Sequence, residues 1–216
     1  MSSNNITYRI LDSNDSNDVM SLLITDYITQ EPESIKLGMT EEILRKYLNT
    51  RLIKYLSAKA SVGAFDSNSS CLIGVAVGYT GGKEEKSMNS DASMIPVYVR
   101  QAEAVRKQLI GGTKEECLGT LKFLHLYILC VKNEYAGHGI AAEMCKRMQK
   151  IAISQNCEKL SAIATNHYAQ RIFKILGFDF IKSISYEDYI DPVTGNKIFK
   201  DMPKPHEKMV FAVKTL

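Results

Sequence analysis

The chain of 216 residues lacks several features that would place it in other protein classes. No stretch approaches 18 apolar residues, so we expect no membrane span. The N-terminus, MSSNNITYRILDSND, lacks the apolar core of a signal peptide. Net charge is only +3 and no dense Lys/Arg block occurs, which argues against nucleic acid as a partner. These absences favour a globular protein of the cytoplasm.

The number and spacing of the cysteines also argue against some kinds of site. The chain has five of them, an odd number, and none forms a CxxC pair. Most lie in apolar surroundings, as is typical of reduced thiols in an intracellular protein. We therefore expect neither a disulfide framework nor a metal site.

Hydrophobic periodicity predicts strands and helices in alternation. The longest apolar run, LKFLHLYILCV at 121–131, fits a central strand buried on both faces, and His125 within it is interpreted as a satisfied core residue. VYVRQAEAVRKQLI has helical spacing and ends before Gly111. Pro32 and Gly38 break the first helical segment and predict a loop over residues 28–39. The predicted order, β-α-α-β-β-α-β-α-β-α-β-β, indicates one mixed α/β domain spanning residues 1–216.

A glycine-rich turn within CVKNEYAGHGIAAEM joins the central strand to an amphipathic helix. Gly137 and Gly139 let the backbone approach a ligand, and Ala141 and Ala142 keep the first helical turn narrow. The free N–H groups and the dipole of the helix start favour an anion such as a diphosphate. No GxxxxGK[ST] loop occurs, and Ala142 stands at the last glycine of GxGxxG. Locally, a turn that only reverses the chain is an equal alternative.

A second segment, ATNHYAQRIFKILGFDFI, gives the turn its context. Together the two segments resemble the acetyl-CoA signature of the GCN5-related N-acetyltransferase (GNAT) superfamily. That signature is a strand, [Q/R]xxGx[G/A] and a helix, then an Asn, a small residue and a Gly-Phe pair. The matching positions in this chain are Ala136, Gly139, Ala141, Asn166, Ala169, Gly177 and Phe178. The Gln or Arg of the signature is replaced by Ala136.

The N-terminal segment DYITQEPESIKLGMT resembles the Glu-Pro segment of one branch of that superfamily, the insect-type arylalkylamine N-acetyltransferases. Those enzymes also have an HYA-like stretch, here around Tyr168, and a Pro-His before the last strand, here Pro205-His206. The resemblance covers most of the chain and is weakest from Lys83 to Gly112.

The resemblance implies the GNAT fold, a twisted mixed sheet of about seven strands with flanking helices. Its two central parallel strands splay apart, and the pantetheine of acetyl-CoA would enter there and pair with backbone at Leu129, Cys130 and Val131. The diphosphate would meet N–H groups of Ala136, Gly137, His138, Gly139, Ile140, Ala141 and Ala142. Asn166, Ala169 and Phe173 complete the implied acetyl-CoA site. Backbone must carry most of the diphosphate contact, helped by Lys132 or His138.

Acetylation of an amine requires a base for the ammonium proton and stabilisation of the oxyanion. The resemblance implies Glu31 as the base, on a loop stiffened by Pro32. From the residues alone, a solvated loop carboxylate is the favoured interpretation of Glu31. A backbone N–H near Val131 would meet the oxyanion. Because Cys130 has no evident base partner, direct transfer is favoured over a cysteine nucleophile.

The proton donor for the departing thiolate is less defined. The tyrosine acid of many superfamily members is replaced by Phe173. Two serines once proposed as a relay in the insect-type enzymes correspond to Thr165 and Ala169, so that relay cannot operate. Tyr168 or water could supply the proton, with His206 assisting.

The acceptor pocket is expected at the first helices and the loop at 28–39, with Tyr27, Ile28 and Tyr186 as lining candidates. The leading hypothesis is an acetyl-CoA-dependent N-acetyltransferase for a small primary amine, arylalkylamines included, acting as a monomer or homodimer. One alternative is a protein or peptide N-acetyltransferase of the same fold. Another is a non-catalytic CoA-binding sensor, suggested by the missing Gln/Arg and the missing tyrosine.

Overall fold

A computed structural model describes residues 5–81 and 96–216, so residues 83–95 of the segment where the resemblance is weakest lie outside the described residues. The strands are β1 (Ile6–Ile10), β2 (Val62–Asp66), β3 (Leu72–Thr80), β4 (Phe123–Val131), β5 (Lys159–Ala164), β6 (Asp179–Ser185) and β7 (Lys208–Thr215). The helices are α1 (Ser16–Leu22), α2 (Ile28–Gln30), α3 (Pro32–Leu37), α4 (Glu41–Ser57), α5 (Val97–Ile110), α6 (Lys114–Leu118), α7 (Ile140–Ser154) and α8 (His167–Ile175). Within these residues, no helix has the length and apolar character needed to cross a membrane.

One sheet with the order β1-β2-β3-β4-β5-β7-β6 contains all seven strands of the described residues. Its parallel pair is β4 and β5, whose ladder joins Phe123–Leu126 to Lys159–Ala162. Both strands continue past that ladder, β4 as far as Val131. In the described residues this last part of β4 is paired only with β3. The expected splay between the central parallel strands is therefore confirmed.

A β-bulge lies where β4 leaves β5. The β3–β4 register shifts between Val77 and Gly78, which pair with Ile128 and Leu126 and leave Tyr127 as the extra residue. Bulges bend a strand and increase its twist, and they are frequent beside active sites. The bulge therefore coincides with the end of the β4–β5 ladder, at the start of the splay.

Helices cover both faces of the sheet and build a core on each. Leu52, Leu56 and Val77 belong to the core on the side of α1 and α4. On the other side, α7 contributes its predicted apolar stripe of Ile140, Met144, Met148 and Ile151, all of them buried. The central strand is consequently buried on both faces, as its sequence predicts.

His125 is a core residue, as its place in the apolar run predicts. Its Nδ1 lies 2.9 Å from the hydroxyl of Ser161 on β5. Burial, with smaller contributions from Lys114 and Arg106, holds the pKa of His125 well below its ordinary value. The imidazole is therefore neutral and structural.

The predicted loop at 28–39 is wrong in part, because it contains the short helix α3. Pro32 is the first residue of α3 and Glu31 is its N-cap, while Gly38 ends it with φ 74°. Proline cannot continue a helix, but its fixed φ suits the first helical position. The five-residue helix α6, which begins with a capping box between Thr113 and Glu116, was also not predicted.

An ion pair with a buried carboxylate and a partly exposed guanidinium ties α3 to α5. The two carboxylate oxygens of Glu33 lie 2.6 and 2.8 Å from the guanidinium nitrogens of Arg106, and only 1% of the Glu33 side chain is exposed. Arg106 also donates to the carbonyl of Ala102 at 2.7 Å. Burial raises the pKa of Glu33 above its ordinary value, and the charge of Arg106 opposes that rise.

Removing Arg106 should therefore destabilise the fold strongly. We expect Arg106→Met to lower the free energy of unfolding by about 3 kcal/mol, because Glu33 is left buried without a partner. Arg45→Met is the control, since Arg45 and Glu41 pair at 2.8 Å with 54% of each side chain exposed; it should cost about 0.5 kcal/mol or less. Urea unfolding measures both, and equal effects would contradict a stabilising role for the buried pair.

Candidate active site

The glycine-rich turn lies at the end of β4, where the sheet opens. A 3₁₀ turn at Asn133–Tyr135 follows the strand, and α7 begins at Ile140. Gly137 and Gly139 have φ of 78° and 77°, a left-handed conformation that favours glycine. A Cβ atom at either position would have no neighbour within 4 Å, so the space above the turn is open to a ligand.

The turn offers N–H groups rather than charged side chains. Residues 136–139 are exposed, and the first N–H groups of α7 have no intrahelical acceptors. His138 turns back on the loop, with Nδ1 2.9 Å from the carbonyl of Ala136. Because a carbonyl only accepts, Nδ1 carries a proton in this contact. Ala141 and Ala142, half-buried, follow at the helix start.

Leu129, Cys130 and Val131 form the part of β4 that extends beyond the β5 ladder. Leu129 and Val131 pack towards α7, whereas Cys130 is buried in the opposite core. Burial, and secondarily the charge of Asp26, raises the pKa of the Cys130 thiol to about 12. The thiol is therefore protonated at neutral pH and is a poor nucleophile.

Glu31 and Thr165 meet at the end of β5, although 134 positions separate them in the chain. Glu31 is 5% exposed. Its Oε2 accepts the N–H of Ser34 at 2.6 Å, the N-cap bond of α3, and its Oε1 accepts the hydroxyl of Thr165 at 2.6 Å. Since both oxygens are held, the carboxylate has a fixed orientation. The Thr165 proton is engaged by Glu31, so Thr165 orients the carboxylate in this arrangement.

The charge of this carboxylate acts on three tyrosines, Tyr27, Tyr98 and Tyr186. The Tyr186 hydroxyl donates to the carbonyl of Thr165 at 2.5 Å, and its ring is buried against Phe199. Tyr186 therefore fixes the end of β5 rather than lining an open surface. Burial first, and the charges of nearby carboxylates second, raise the pKa of Tyr27, Tyr98 and Tyr186. Glu31 is among those carboxylates for all three tyrosines.

Tyr98 and Arg106 were missed by the sequence analysis. Both lie on α5, eight positions apart and so on one face of the helix. The helical spacing of the segment is visible in the sequence. The sequence does not show what this face of α5 packs against, because that depends on how α5 lies over α3.

The start of α8 brings together Asn166, His167, Tyr168 and His206. Asn166 is the N-cap, and its Oδ1 accepts the N–H of Ala169 at 2.8 Å. The N–H of His167 donates to Nδ1 of His206 at 3.2 Å, which leaves Nε2 as the protonated nitrogen of a neutral His206. Burial, with the charge of His167, lowers the pKa of His206. Tyr168 is 61% exposed and edges against both imidazoles.

Phe173 lies in the core, its ring centroid 5.0 Å from that of Phe178. Its ring is buried, and the contacts that it makes are packing contacts of the core. A surface cavity of about 480 Å³ adjoins the start of α8 and is lined by His167, Arg171 and Lys208 among others, and one of about 460 Å³ lies beside Tyr8. Among the described residues, no group of three or more His, Cys, Asp or Glu side chains is arranged to hold a metal ion.

Solved structures share this fold over nearly the whole chain. Arylalkylamine N-acetyltransferase 2 from Aedes aegypti has a TM-score of 0.79 at 24% identity, covering 98% of this chain and 99% of that one. Drosophila melanogaster polyamine N-acetyltransferase, which forms N-acetylagmatine, has a TM-score of 0.77 at 17% identity, covering 98% and 100%. The NatC complex bound to Gag peptide and CoA has a TM-score of 0.53 at 15% identity, covering 98% of each chain.

Sequence comparison gives the family. No curated protein matches the chain by sequence. The model of the acetyltransferase (GNAT) family matches residues 38–178, which is more than half of the chain and includes the splayed strands, the glycine-rich turn and α8. The chain therefore belongs to the acetyltransferase (GNAT) family and is an N-acetyltransferase of that family.

Proposed function

We propose that this chain transfers acetyl from acetyl-CoA directly to a small primary amine, with Glu31 as the general base. Acetyl-CoA is the acetyl donor of GNAT-fold acetyltransferases. The observation that carries the proposal is the contact between Glu31 and Thr165 at the open end of β5. It places an oriented carboxylate where the two central strands separate.

Three features support the location of acetyl-CoA. The edge of β4 at 129–131 has no ladder partner in β5, so the amides of pantetheine can pair with it. The open turn with Gly137 and Gly139 and the N-terminus of α7 suit the diphosphate. Asn166 and Ala169 stand at the start of α8, beyond the end of β5. Because position 136 is alanine, backbone N–H groups would provide most of the anion contact.

The chemistry is consistent with these positions. An alkylammonium with a pKa near 10 must lose a proton before its nitrogen can attack the thioester carbon. Glu31 accepts that proton, the new C–N bond forms, and the C–S bond breaks as the thiolate leaves. The attacking nitrogen still carries one proton more than the amide product, and that proton passes through water to the thiolate, whose free pKa near 8.5 makes it a tolerable leaving group. The protonated thiol of Cys130 and the engaged hydroxyl of Thr165 favour direct transfer without an acyl-enzyme.

Charge and shape around Glu31 favour an aromatic monoamine as the acceptor. Arg106 balances the charge of Glu33, whereas no cationic side chain of the described residues pairs with Glu31. One carboxylate, that of Glu31, is therefore available for one ammonium group. The rings of Tyr27 and Tyr98 provide aromatic surface nearby. A diamine would bring a second cation close to Arg106. The Aedes neighbour, named for arylalkylamines, agrees with this class.

An acceptor panel tests the proposal. Purified protein with acetyl-CoA should release CoA thiol faster with tyramine than with agmatine, spermidine or N-terminal peptides. Turnover with peptides alone would replace the proposal by protein acetylation. Binding of CoA by calorimetry, without thiol release for any acceptor, would instead indicate the sensor function.

Replacing the base should lower the rate without removing the fold. Glu31→Gln keeps an acceptor oxygen for the Ser34 N–H and presents an NH2 donor to the hydroxyl of Thr165, which must then accept. Because the amide cannot take a proton, kcat should fall about 10²- to 10⁴-fold. The acidic limb of the pH dependence of kcat should also disappear. The control is Glu42→Gln, at an exposed position of α4, which should keep the wild-type profile. An unchanged profile in Glu31→Gln would remove Glu31 from this role.

Blocking the glycine-rich turn should weaken binding of the cosubstrate. Gly139→Val places a β-branched side chain in the open space at a φ of 77°, and we expect the Kd for CoA to rise at least about tenfold. Gly195→Val is a matched control with φ 74° and open space, in the loop before β7. It should leave the Kd unchanged. Wild-type affinity in a folded Gly139→Val variant would contradict the diphosphate location.

A further inference from the structure

The helical run between α1 and α2 contains a π-helical turn at Leu23–Tyr27. The backbone stays helical on both sides of it, with φ −61° at Leu22 and −66° at Ile28. Such turns are rare and are frequently found at functional sites. One extra residue in a turn rotates the following side chains by about 100° about the helix axis. After the π-helical turn, the helical run therefore directs a different set of side chains towards the rest of the protein.

Asp26 lies in this turn and contacts the loop that follows β4. Its Oδ1 accepts the N–H of Asn133 at 3.0 Å, across 107 positions of sequence. Two other bonds stay within the helical run, from the Gln30 side chain to Oδ1 at 3.1 Å and from the Thr25 hydroxyl to Oδ2 at 2.7 Å. Bonds within the helical run therefore orient the Asp26 carboxylate independently of its bond to the loop.

A second carboxylate holds the other end of the same 3₁₀ turn. The Tyr135 hydroxyl donates to Oδ2 of Asp66 at 2.9 Å. Asp66 is itself fixed by its own tight turn, since its Oδ1 accepts the N–H groups of Asn68 and Ser69 at 2.8 and 3.1 Å. The turn Asn133–Tyr135 is therefore anchored at its first and last residues by separate parts of the fold.

This anchoring matters because the segment between the 3₁₀ turn and α7 is rich in glycine. Gly137 and Gly139 give that segment wide conformational freedom, and fixing it only when a ligand binds costs entropy. Ala136 offers no side chain for an anion. Since the binding strength at this turn depends on aligned backbone N–H groups, a backbone held in place beforehand supports higher affinity.

We propose that Asp26 and Asp66 are positioning residues for acetyl-CoA. They act through the turn Asn133–Tyr135, which sets the direction of the N–H groups at 136–142. The inference rests on the proposed location of the diphosphate. Near that anion the negative charge of Asp26 brings no benefit, so its role is that of a hydrogen-bond acceptor.

Variants of Asp26 distinguish its role as a hydrogen-bond acceptor from the effect of its negative charge. Asp26→Ala should raise the Kd for CoA about three- to tenfold by calorimetry, the effect of one lost hydrogen bond. Asp26→Asn keeps an acceptor oxygen and should bind CoA at least as tightly as wild type. Thr25→Val is the control and should keep the wild-type Kd: of the bonds to Asp26 it removes only the one to Oδ2, together with contacts to the carbonyls of Ser21 and Leu22 inside the helical run. In Asp26→Ala, kcat at saturating acetyl-CoA should stay within about twofold of wild type, whereas a general structural defect would lower it.

Removing the donor gives an independent test. Asn133→Pro deletes the N–H at the first position of the turn, and the extended Lys132, with ψ 138°, suits a following proline. It should weaken CoA binding as much as Asp26→Ala does, and the double variant should be no weaker than either single variant.

The outcomes distinguish this inference from the proposed function. Wild-type affinity in Asp26→Ala and Asn133→Pro, or additive losses in the double variant, would overturn the positioning role alone. Absence of CoA binding by the wild-type protein would overturn the proposed function, and this inference with it. If Asp26→Ala does not fold, Asp26→Asn and Asn133→Pro give the same contrast.

Discussion

The separation of β4 from β5 is the constraint on which the site depends. Their ladder ends at Leu126 and Ala162, next to the bulge at Tyr127, and β4 stays paired with β3 beyond that point. Backbone polar groups of β4 are left without strand partners in a region otherwise closed on both faces, which is unfavourable unless another group pairs with them. The same separation places the two segments that follow the strands, the glycine-rich turn after β4 and Thr165 after β5, at one end of the sheet.

Carboxylates in this protein repeatedly serve as acceptors for the backbone. Glu31 accepts the N–H of Ser34, Asp26 accepts that of Asn133, and Asp66 fixes a tight turn while it receives the hydroxyl of Tyr135. This explains why Glu and Pro are adjacent at 31–32: an N-cap needs a side-chain acceptor, and the next position suits proline. The carboxylate proposed as the base is thus oriented by the start of a helix. An anion site built from N–H groups needs the same kind of support, because a backbone donor is only as well aligned as its loop.

Electrostatics near Glu31 depend on the pair formed by Glu33 and Arg106. Without Arg106, two carboxylates two residues apart would be buried together, and each would raise the cost of the other's charge. With the pair formed, the charge of Glu33 is balanced by Arg106. The pair also fastens α3 to α5, so one contact both stabilises the fold beside the site and sets its charge.

The sequence by itself determined the elements whose cause is local. The apolar stripe of α7, the extent of α5 and the glycine-rich turn follow from periodicity and from the conformational freedom of glycine, and all were predicted. The local pattern did not predict α3, because proline is equally typical of the end of one helix and of the start of another. Only the tertiary structure decided that Glu31 meets Thr165 and that Asp26 meets Asn133. Those contacts join residues more than one hundred positions apart, and their geometry is set by strand order, by the separation of β4 from β5 and by a π-helical turn that no sequence period marks.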